Sequence, residues 1–452
     1  MAVEFIPIDR ETPYIFPPCV QDYLPEGHLA RFVVEIVEQL DLRALSAVYA
    51  GKGSKPYHPA LLVALLFYGY ATGVFSSRKL EKATYDSIAF RYLCANTHPD
   101  HDTIAEFRKR FLKELEGLFV EILLVAAEMG LVKLGTIALD GSKVKANASR
   151  HKALSWEYAN QLEAQLQGEV QELLRLAEEA DQASLPEEMD IPAELERREG
   201  RLAAIARAKA QIQARAQARF AREQAEFEEK QARREAYEQQ SGKKPAGKKP
   251  KPPTPAPQAK DQVNLTDEES RIMPTAGGGF DQTYNVQAGV DVQTHLIVAQ
   301  HVTQQPNDKQ EIEPALAQLA QLPEALGQPE ALLADTGYFS EANVERCEAA
   351  RIVPLIAQKR EQHNLPLAQR YQEDPEAPQN PTPVQAMRHR LQTREGKALY
   401  AKRKSSVETV FGVIKHVQGF RQFLLRGLDS VQSEWALVCI GWNLKRLHAL
   451  MG

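Results

Sequence analysis

From Ala153 to about Gln240 the chain holds almost no turn-forming residue and is built of Ala, Glu, Gln, Arg and Leu, as in LEAQLQGEVQELLRLAEEA and RLAAIARAKAQIQARAQARF. Residues of this kind lose little rotamer freedom in a helix, so the segment reads as long helix. Its one interruption, DQASLPEEMDIP, divides it into two helices that pair as an antiparallel hairpin. The flanking segments carry a different pattern. TIALDGSKVKA, from Thr136, and FDQTYNVQAGVDVQTHLIVAQHVT, from Phe280, alternate apolar and polar residues and are rich in β-branched types, which marks strands. Any fold for this chain must therefore be a sheet whose first strand is separated from the second by an inserted helical hairpin.

The rest of the pattern completes that sheet. SGKKPAGKKPKPPTPAPQAK, rich in Lys and Pro, reads as an extended, flexible linker over 243–262. The two strands from Phe280 turn near Gln293 and Thr294; then come a helix around Glu311 to Ala320, a strand ALLADTGYF, a helix SEANVERCEAA and a strand IVPLIAQ. Alternating strands and helices indicate an α/β sheet, α+β over the chain as a whole. A polar, Pro-rich loop covers about 361–383, and the end, from Lys397 to Gly452, is again helical. Before residue 130 the chain is helical. HPALLVALLFYGYATG ends at Gly73, SSRKLEKATY follows with serines at the capping position, and Thr103 with Glu106 has capping-box spacing ahead of a long helix that stops near Gly130. Helix, turn, helix with Arg78, Lys79 and Lys82 exposed fits a DNA groove, and it fits equally the solvated face of a helical bundle. The expected organisation is a helical region over 1–130 and an α/β domain over 131–452, interrupted by the hairpin over 153–242 and the linker.

Composition excludes several classes. Four cysteines, Cys19, Cys94, Cys347 and Cys439, form no C-x-x-C pair, which argues against a thiolate zinc site or a disulfide framework and fits a reducing cytoplasm. The start, MAVEFIPIDRETPYIF, is acidic and proline-broken, unlike a secretory signal. ALLVALLFYGYA falls short of the ~20 apolar residues that cross a bilayer, so no membrane partner is expected. His98, His101, His295 and His301 lack ligand spacing, and the three glycines before Phe280 lack the Lys-Ser/Thr of a phosphate loop, so no nucleotide cofactor is expected. Trp435 and Trp442, seven apart among apolar neighbours, read as core. The net charge of -5 runs against a chain that is basic throughout, yet from Lys402 to Arg426 there are six Lys or Arg residues, Arg421 among them, and one acid, Glu408.

Three acids merit chemistry, each beside a structural alternative. Asp140 closes TIAL, and Asp-Gly between alternating segments is also the strongest short hairpin signal. Asp335 ends ALLA, where an Asx-type turn is common. Glu408 lies three residues after Ser405, the spacing of a capping box. Phosphodiester transfer needs an activated oxygen nucleophile and neutralised charge on the attacking and leaving oxygens, which two divalent ions ~4 Å apart supply when held by a few converging carboxylates.

The segments ALDGSKVKANAS, LLADTGYFSEANV and VETVFGVIKHVQGFRQFLLRG, in that order, resemble the three acidic-motif regions of the DDE transposases of bacterial insertion sequences. HPALLVALLFYGYATGVFSSRKLEKATYDSIAFRYLCANTHPDHDTIAEFRKRF resembles the InsH-type domain that precedes them, so the resemblance runs from about residue 20 to 448. It implies an RNase H-like catalytic domain with Asp140 on the first strand, Asp335 at the end of the fourth and Glu408 on a later helix, the three holding two Mg²⁺ or Mn²⁺ ions. It also implies a Tyr, Arg, Glu, Lys signature on that helix, matched here by Tyr400, Arg403, Glu408 and Lys415. Arg403 stands one position early and Lys404 occupies the usual arginine offset, so either is a candidate for the phosphate contact; Thr409 stands where proline is expected. The implied activity is cleavage at the ends of the chain's own element and strand transfer by a 3′-hydroxyl, with terminal inverted repeats and target DNA as partners, a homodimer on DNA, and a cytoplasmic, nucleoid-associated location. A hydrolytic nuclease of the same fold and a non-catalytic DNA-binding protein are the alternatives.

Overall fold

The computed structural model describes residues 19–49, 56–180, 191–242, 247–275, 277–359 and 374–452. The acidic start, the break between the two long helices over 181–190, linker residues 243–246 and most of the polar loop after 360 lie outside the described residues. Among the described residues there are eight strands: β1 (Thr136–Lys145), β2 (Ala153–Ser155), β3 (Gln262–Asn264), β4 (Arg271–Pro274), β5 (Phe280–Asp291), β6 (Ile297–Thr303), β7 (Ala331–Ala334) and β8 (Val353–Ile356). The chain forms two compact units, Met1–Val144 with Asn285–Gly452, and Lys145–Tyr284.

In the first unit β5, β1, β7 and β8 lie side by side in that order, β6 runs antiparallel to β5, and β1–β7 and β7–β8 are parallel. Short apolar runs explain the parallel part: all four residues of β7, Ala-Leu-Leu-Ala, are buried, as a strand covered on both faces requires. β5 and β6 turn after Asp291, whose carboxylate accepts from the Gln293 and Thr294 N–H groups. β6 has its outward backbone groups filled by side-chain amides. Asn443 both accepts from Ile297 N–H and donates to its carbonyl, Gln432 accepts from Val302 N–H, and Gln318 pairs both ways with Gln300. An edge so occupied offers no template for another strand.

Asn443 and Gln432 belong to the helix Leu428–Leu450, buried on nearly every side from Val431 to Leu447. It packs against β6, the helix Leu112–Glu128 and the helix Pro59–Thr72, so the helical start of the chain and the sheet share a core. At the crossing with Pro59–Thr72 sits Gly441, where a Cβ would lie 2.7 Å from Ala71 N. Trp435 is fully buried and donates to the Gln287 carbonyl, and Trp442 donates to that of His295, which bears out their reading as core. Glu434 is buried beside them: it accepts from Leu424 and Leu425 N–H and from the Tyr70 hydroxyl, and burial raises its carboxyl.

Several local expectations change. Asp140-Gly141 is not a hairpin turn, because β1 runs straight through it for ten residues. The helix from His101 is capped by Asp100, which accepts from Thr103 N–H, so Thr103 lies inside it; the run to Gly130 is broken at Phe111 into His101–Arg110 and Leu112–Glu128. ALLADTGYF is strand only to Ala334, and Thr336–Tyr338 is a 3₁₀ turn. The helix Pro383–Gln392 was not anticipated, although Thr382 and Gln385 form a capping box with Pro383 at the first position. The helix-turn-helix is present: Pro59–Thr72 ends on left-handed Gly73, and Ser76 caps Ser77–Asp86.

In the second unit Trp156–Ala180 and Ile191–Ser241 form the expected antiparallel pair, closed at its base by β2 against β3. Leu154, Leu166, Ile205, Ile212 and Val263 form its core, with Lys209–Glu163 and Arg198–Glu169 ion pairs at its margins. The linker is less free than its composition implies. Asp261 pairs with Arg219, and Pro250, Lys251 and Pro252 line a groove against Phe227, Lys230 and Arg234 of the long helix.

Gly441→Ala is expected to lower stability by about 1–3 kcal/mol, since an added methyl meets backbone with no room to shift. Urea unfolding should show an earlier midpoint with unchanged slope; an unchanged midpoint would mean that this helix crossing is not a tight constraint.

Candidate active site

Parallel pairing of β1 with β7 matches Thr136 to Ala331, Ile137 to Leu332 and Ala138 to Leu333. The last pair of this register, Ala138 with Leu333, stands two residues before each acid, so Asp140 and Asp335 fall at the same end of the β1–β7 pair. Asp140 Oδ1 accepts from Gly141 N–H, and Asp335 caps the following 3₁₀ turn by accepting from Gly337 N–H at 2.8 Å. The Asx-type turn expected at Asp335 is therefore real, and it aims the carboxylate at the end of the strand.

The third acid arrives on a helix with two wide turns. Arg394–Arg403 is α-helical, Lys404–Glu408 is π-helical, Thr409–Gly412 returns to α, and Val413–Val417 is π-helical again. Tyr400 fixes this helix to the sheet by donating to the Ala334 carbonyl, one residue before Asp335. Ser405 does not cap a helix start. It lies mid-helix and donates to the Lys402 carbonyl, while Glu408 accepts from Arg403, so the capping-box alternative for Glu408 is not realised.

Arg403 joins the acids. Its guanidinium lies 3.1 Å from Asp140 Oδ2 and 2.7 Å from Glu408 Oε1, with only 8% of the residue exposed. The α-helical repeat would turn residues five apart away from one another, whereas the i→i+5 bonding of a π-turn returns them to one face. The extra residue between Arg403 and Glu408 is thus absorbed by the wide turn. Lys404, at the usual arginine offset, is exposed instead.

Electrostatics records the crowding. Burial, opposed by Arg403 and reinforced by Asp335 and Glu408, pushes the Asp140 carboxyl up to about 6. Lys415 Nζ donates to Ser142 Oγ and to the Lys143 carbonyl of β1, and burial with Lys143 nearby pulls its amine down to about 8. Arg421 donates to the Lys415 carbonyl. Arg78, Lys79 and Lys82 are exposed on Ser77–Asp86, Lys82 with Asp86 at 3.9 Å. Sequence reasoning missed four polar residues here: Lys143, Asn285, Gln287 and Asp308. Asp308 lies in PNDKQ, a turn-like stretch with nothing to mark it, and it accepts from Asn285 and Gln287 at 2.7 Å each.

As donors, Asp140, Asp335 and Glu408 suit a hard divalent cation: all are carboxylate oxygens whose mutual repulsion a cation relieves. Among the described residues no three His, Cys, Asp or Glu side chains converge as a metal cage. The position between Asp140 and Glu408 is held by the Arg403 guanidinium.

Residues 18–110 match the family described as Transposase domain (DUF772), and residues 248–444 match the family described as Transposase DDE domain. No curated protein and no solved structure matches the chain. The two matches, a transposase domain followed by a transposase DDE domain, are consistent with a DDE transposase of insertion sequences. The DDE domain is RNase H-like, and the family acts on DNA and generally uses divalent metals. The match includes Asp335 and Glu408, and Asp140 precedes it.

Because Asp140 titrates near 6 in the folded chain against 3.8 ordinarily, its contribution to stability is full below pH ~4 and is lost as the pH rises through 6. Asp140→Asn should therefore melt with the wild type at pH 4 and be more stable above pH 6, by about 1–3 kcal/mol. Thermal unfolding across pH 4–8, in EDTA, checks this; a constant difference would remove Asp140 as the source.

Proposed function

We propose that this transposase cuts DNA at the ends of its own element and joins the freed 3′-hydroxyl to target DNA, with Asp140, Asp335 and Glu408 as catalytic metal-binding residues. The observation that carries it is that three acids distant in sequence lie near one another: Asp335 and Glu408 both act on the charge of Asp140, and Arg403 bridges the first to the third. Mg²⁺ or Mn²⁺ held there, as a two-metal site, would activate the attacking oxygen and offset charge on the leaving one. Cleavage hydrolyses a phosphodiester and frees the 3′-hydroxyl; joining then exchanges one phosphodiester for another, so that step requires no nucleotide cofactor.

The chain's own residues have separable tasks in this reading. Arg403 keeps Asp140 and Glu408 from repelling one another. Lys404, Lys415 and Arg421 bring positive charge to the DNA backbone beside the acids, while Arg78, Lys79 and Lys82 of the helix-turn-helix, within the 1–130 region, meet terminal DNA. The 131–452 region carries the catalysis, interrupted by the hairpin over 153–242, and two copies assemble on paired ends. Action on chromosomal DNA places the protein in the cytoplasm at the nucleoid.

Glu408→Gln is expected to fold normally, to bind element-end DNA, and to lose cleavage and joining, because a neutral amide is a weak ligand for Mg²⁺. Wild-type cleavage should need Mg²⁺ or Mn²⁺ and stop in EDTA, and pre-cut ends should still join. Near-native strand transfer by a folded Glu408→Gln chain would take this residue out of the site, and cleavage without joining would make the protein a nuclease.

Replacing Arg78, Lys79 and Lys82 together with Ala in the full chain should reduce the salt dependence of DNA binding by about 2–3 units of slope, one phosphate contact contributing ~0.9. An unchanged slope would return these residues to the solvated-face alternative.

A further inference from the structure

Beneath Asp140 and Asp335 lies a polar network that the three acids do not explain. Asp308 Oδ1 takes a hydrogen bond from Asn285 Nδ2 and another from Gln287 Nε2, each at 2.7 Å, and lies 3.7 Å from Lys143 Nζ. Asn285 and Gln287 are fully buried on β5. Gly141, directly after Asp140, makes room for them: a Cβ there would come within 2.6 Å of Asp308 Oδ1 and would also meet the Gln287 amide.

A carboxylate only accepts, and that fixes the direction of every bond beyond it in the network. With Nε2 committed to Asp308, Gln287 turns Oε1 the other way, where it accepts from the Tyr338 hydroxyl. Tyr338 closes the 3₁₀ turn Thr336–Tyr338, whose Gly337 N–H holds Asp335 Oδ1. Asn343 ties the same turn back, donating to the Tyr338 carbonyl and to the carbonyl of Lys309, the residue after Asp308. The Gly337 position itself lies between the two acids, since a Cβ there would be 3.0 Å from Asp335 Oδ1 and 3.8 Å from Asp308 Oδ2.

We propose that Asp308 is a positioning residue: through Gln287 and Tyr338 it fixes the turn that carries Asp335, and so the placement of that carboxylate at the Asp140 end of the β1–β7 pair. The inference rests on the reading of Asp335 as a metal-binding residue. Groups that orient a metal-binding side chain typically change metal affinity 10–100-fold when removed. Asp308→Asn keeps the volume of the side chain but offers an amide that donates as well as accepts, so the orientation of Gln287 is no longer dictated. Tyr338→Phe cuts the same chain of bonds one link further on, by loss of a single hydroxyl.

The test uses the full-length protein and Mn²⁺ alone, without DNA, reading the Mn²⁺ concentration at which the melting temperature begins to rise above its value in EDTA, which marks the dissociation constant. Asp308→Asn and Tyr338→Phe should each raise it about tenfold or more. The double variant should go no further than the stronger single one, as links of one chain do. A merely structural role would lower the melting temperature in EDTA and leave the Mn²⁺ concentration unmoved, which overturns the proposal, as do additive effects in the double variant. Asp335→Ala separates the two failures. If it abolishes stabilisation by Mn²⁺ while Asp308→Asn and Tyr338→Phe bind as the wild type, only the role of Asp308 falls; if Asp335→Ala itself binds as the wild type, the metal-binding reading falls and this inference with it.

Discussion

A buried carboxylate with two more carboxylates nearby needs a cation to stay ionised, and much of the local architecture around Asp140 follows from that constraint. Burial first, and Asp335 and Glu408 after it, push the Asp140 carboxyl up to about 6 even with a guanidinium 3.1 Å away. Arg403 serves two acids at once, which a planar fork of donors does and a lysine ammonium does less well. To reach them it is buried on a helix that Tyr400 pins to the end of β7. The basic excess between Lys402 and Arg426 is thus divided: Arg403 faces inward to the carboxylates, Lys415 is tethered to β1, and Lys404 faces out.

What places those elements is the helix Leu428–Leu450. Buried almost all round, it needs partners on every side, and it finds them in β6, Leu112–Glu128 and Pro59–Thr72. Glu434 shows that this junction is polar as well as apolar. Its carboxylate receives two backbone N–H groups and the Tyr70 hydroxyl, and Arg108 reaches Tyr70 and the Phe75 carbonyl from a third helix. The helix-turn-helix is consequently built onto the same core as the sheet, so the surface carrying Arg78, Lys79 and Lys82 and the carboxylates belong to one folded unit.

Long-period features were legible in the sequence. The helical hairpin, the β5–β6 pair and the β-α-β run from Ala331 to Ile356 follow from residue patterns sustained over many positions, and the structure has them. Local rivals were harder to decide, because the same short motifs serve turns and chemistry alike. Asp-Gly read as a hairpin signal, yet Gly141 is there because Asp308 and Gln287 approach β1 too closely for a side chain. Thr103 and Glu106 had capping-box spacing, but Asp100 sits one turn earlier and caps first. Asp308 itself was illegible: its importance comes from β5 residues more than twenty positions away, and nothing in PNDKQ announces them.

The π-turn at Lys404–Glu408 has a consequence for how such helices change over time. In an α-helix one inserted residue rotates everything beyond it by ~100°, which would carry an arginine from the acids to solvent. A wide turn confines that rotation within itself, so the helix gains a residue while the side chains on either side keep their facing. Spacing along the chain is then a poor guide to equivalence: the basic residue found at a familiar interval is Lys404, which faces outward, and the one that meets Asp140 and Glu408 stands a residue off the count. Helices of this kind are aligned more safely by what their side chains touch than by how many residues separate them.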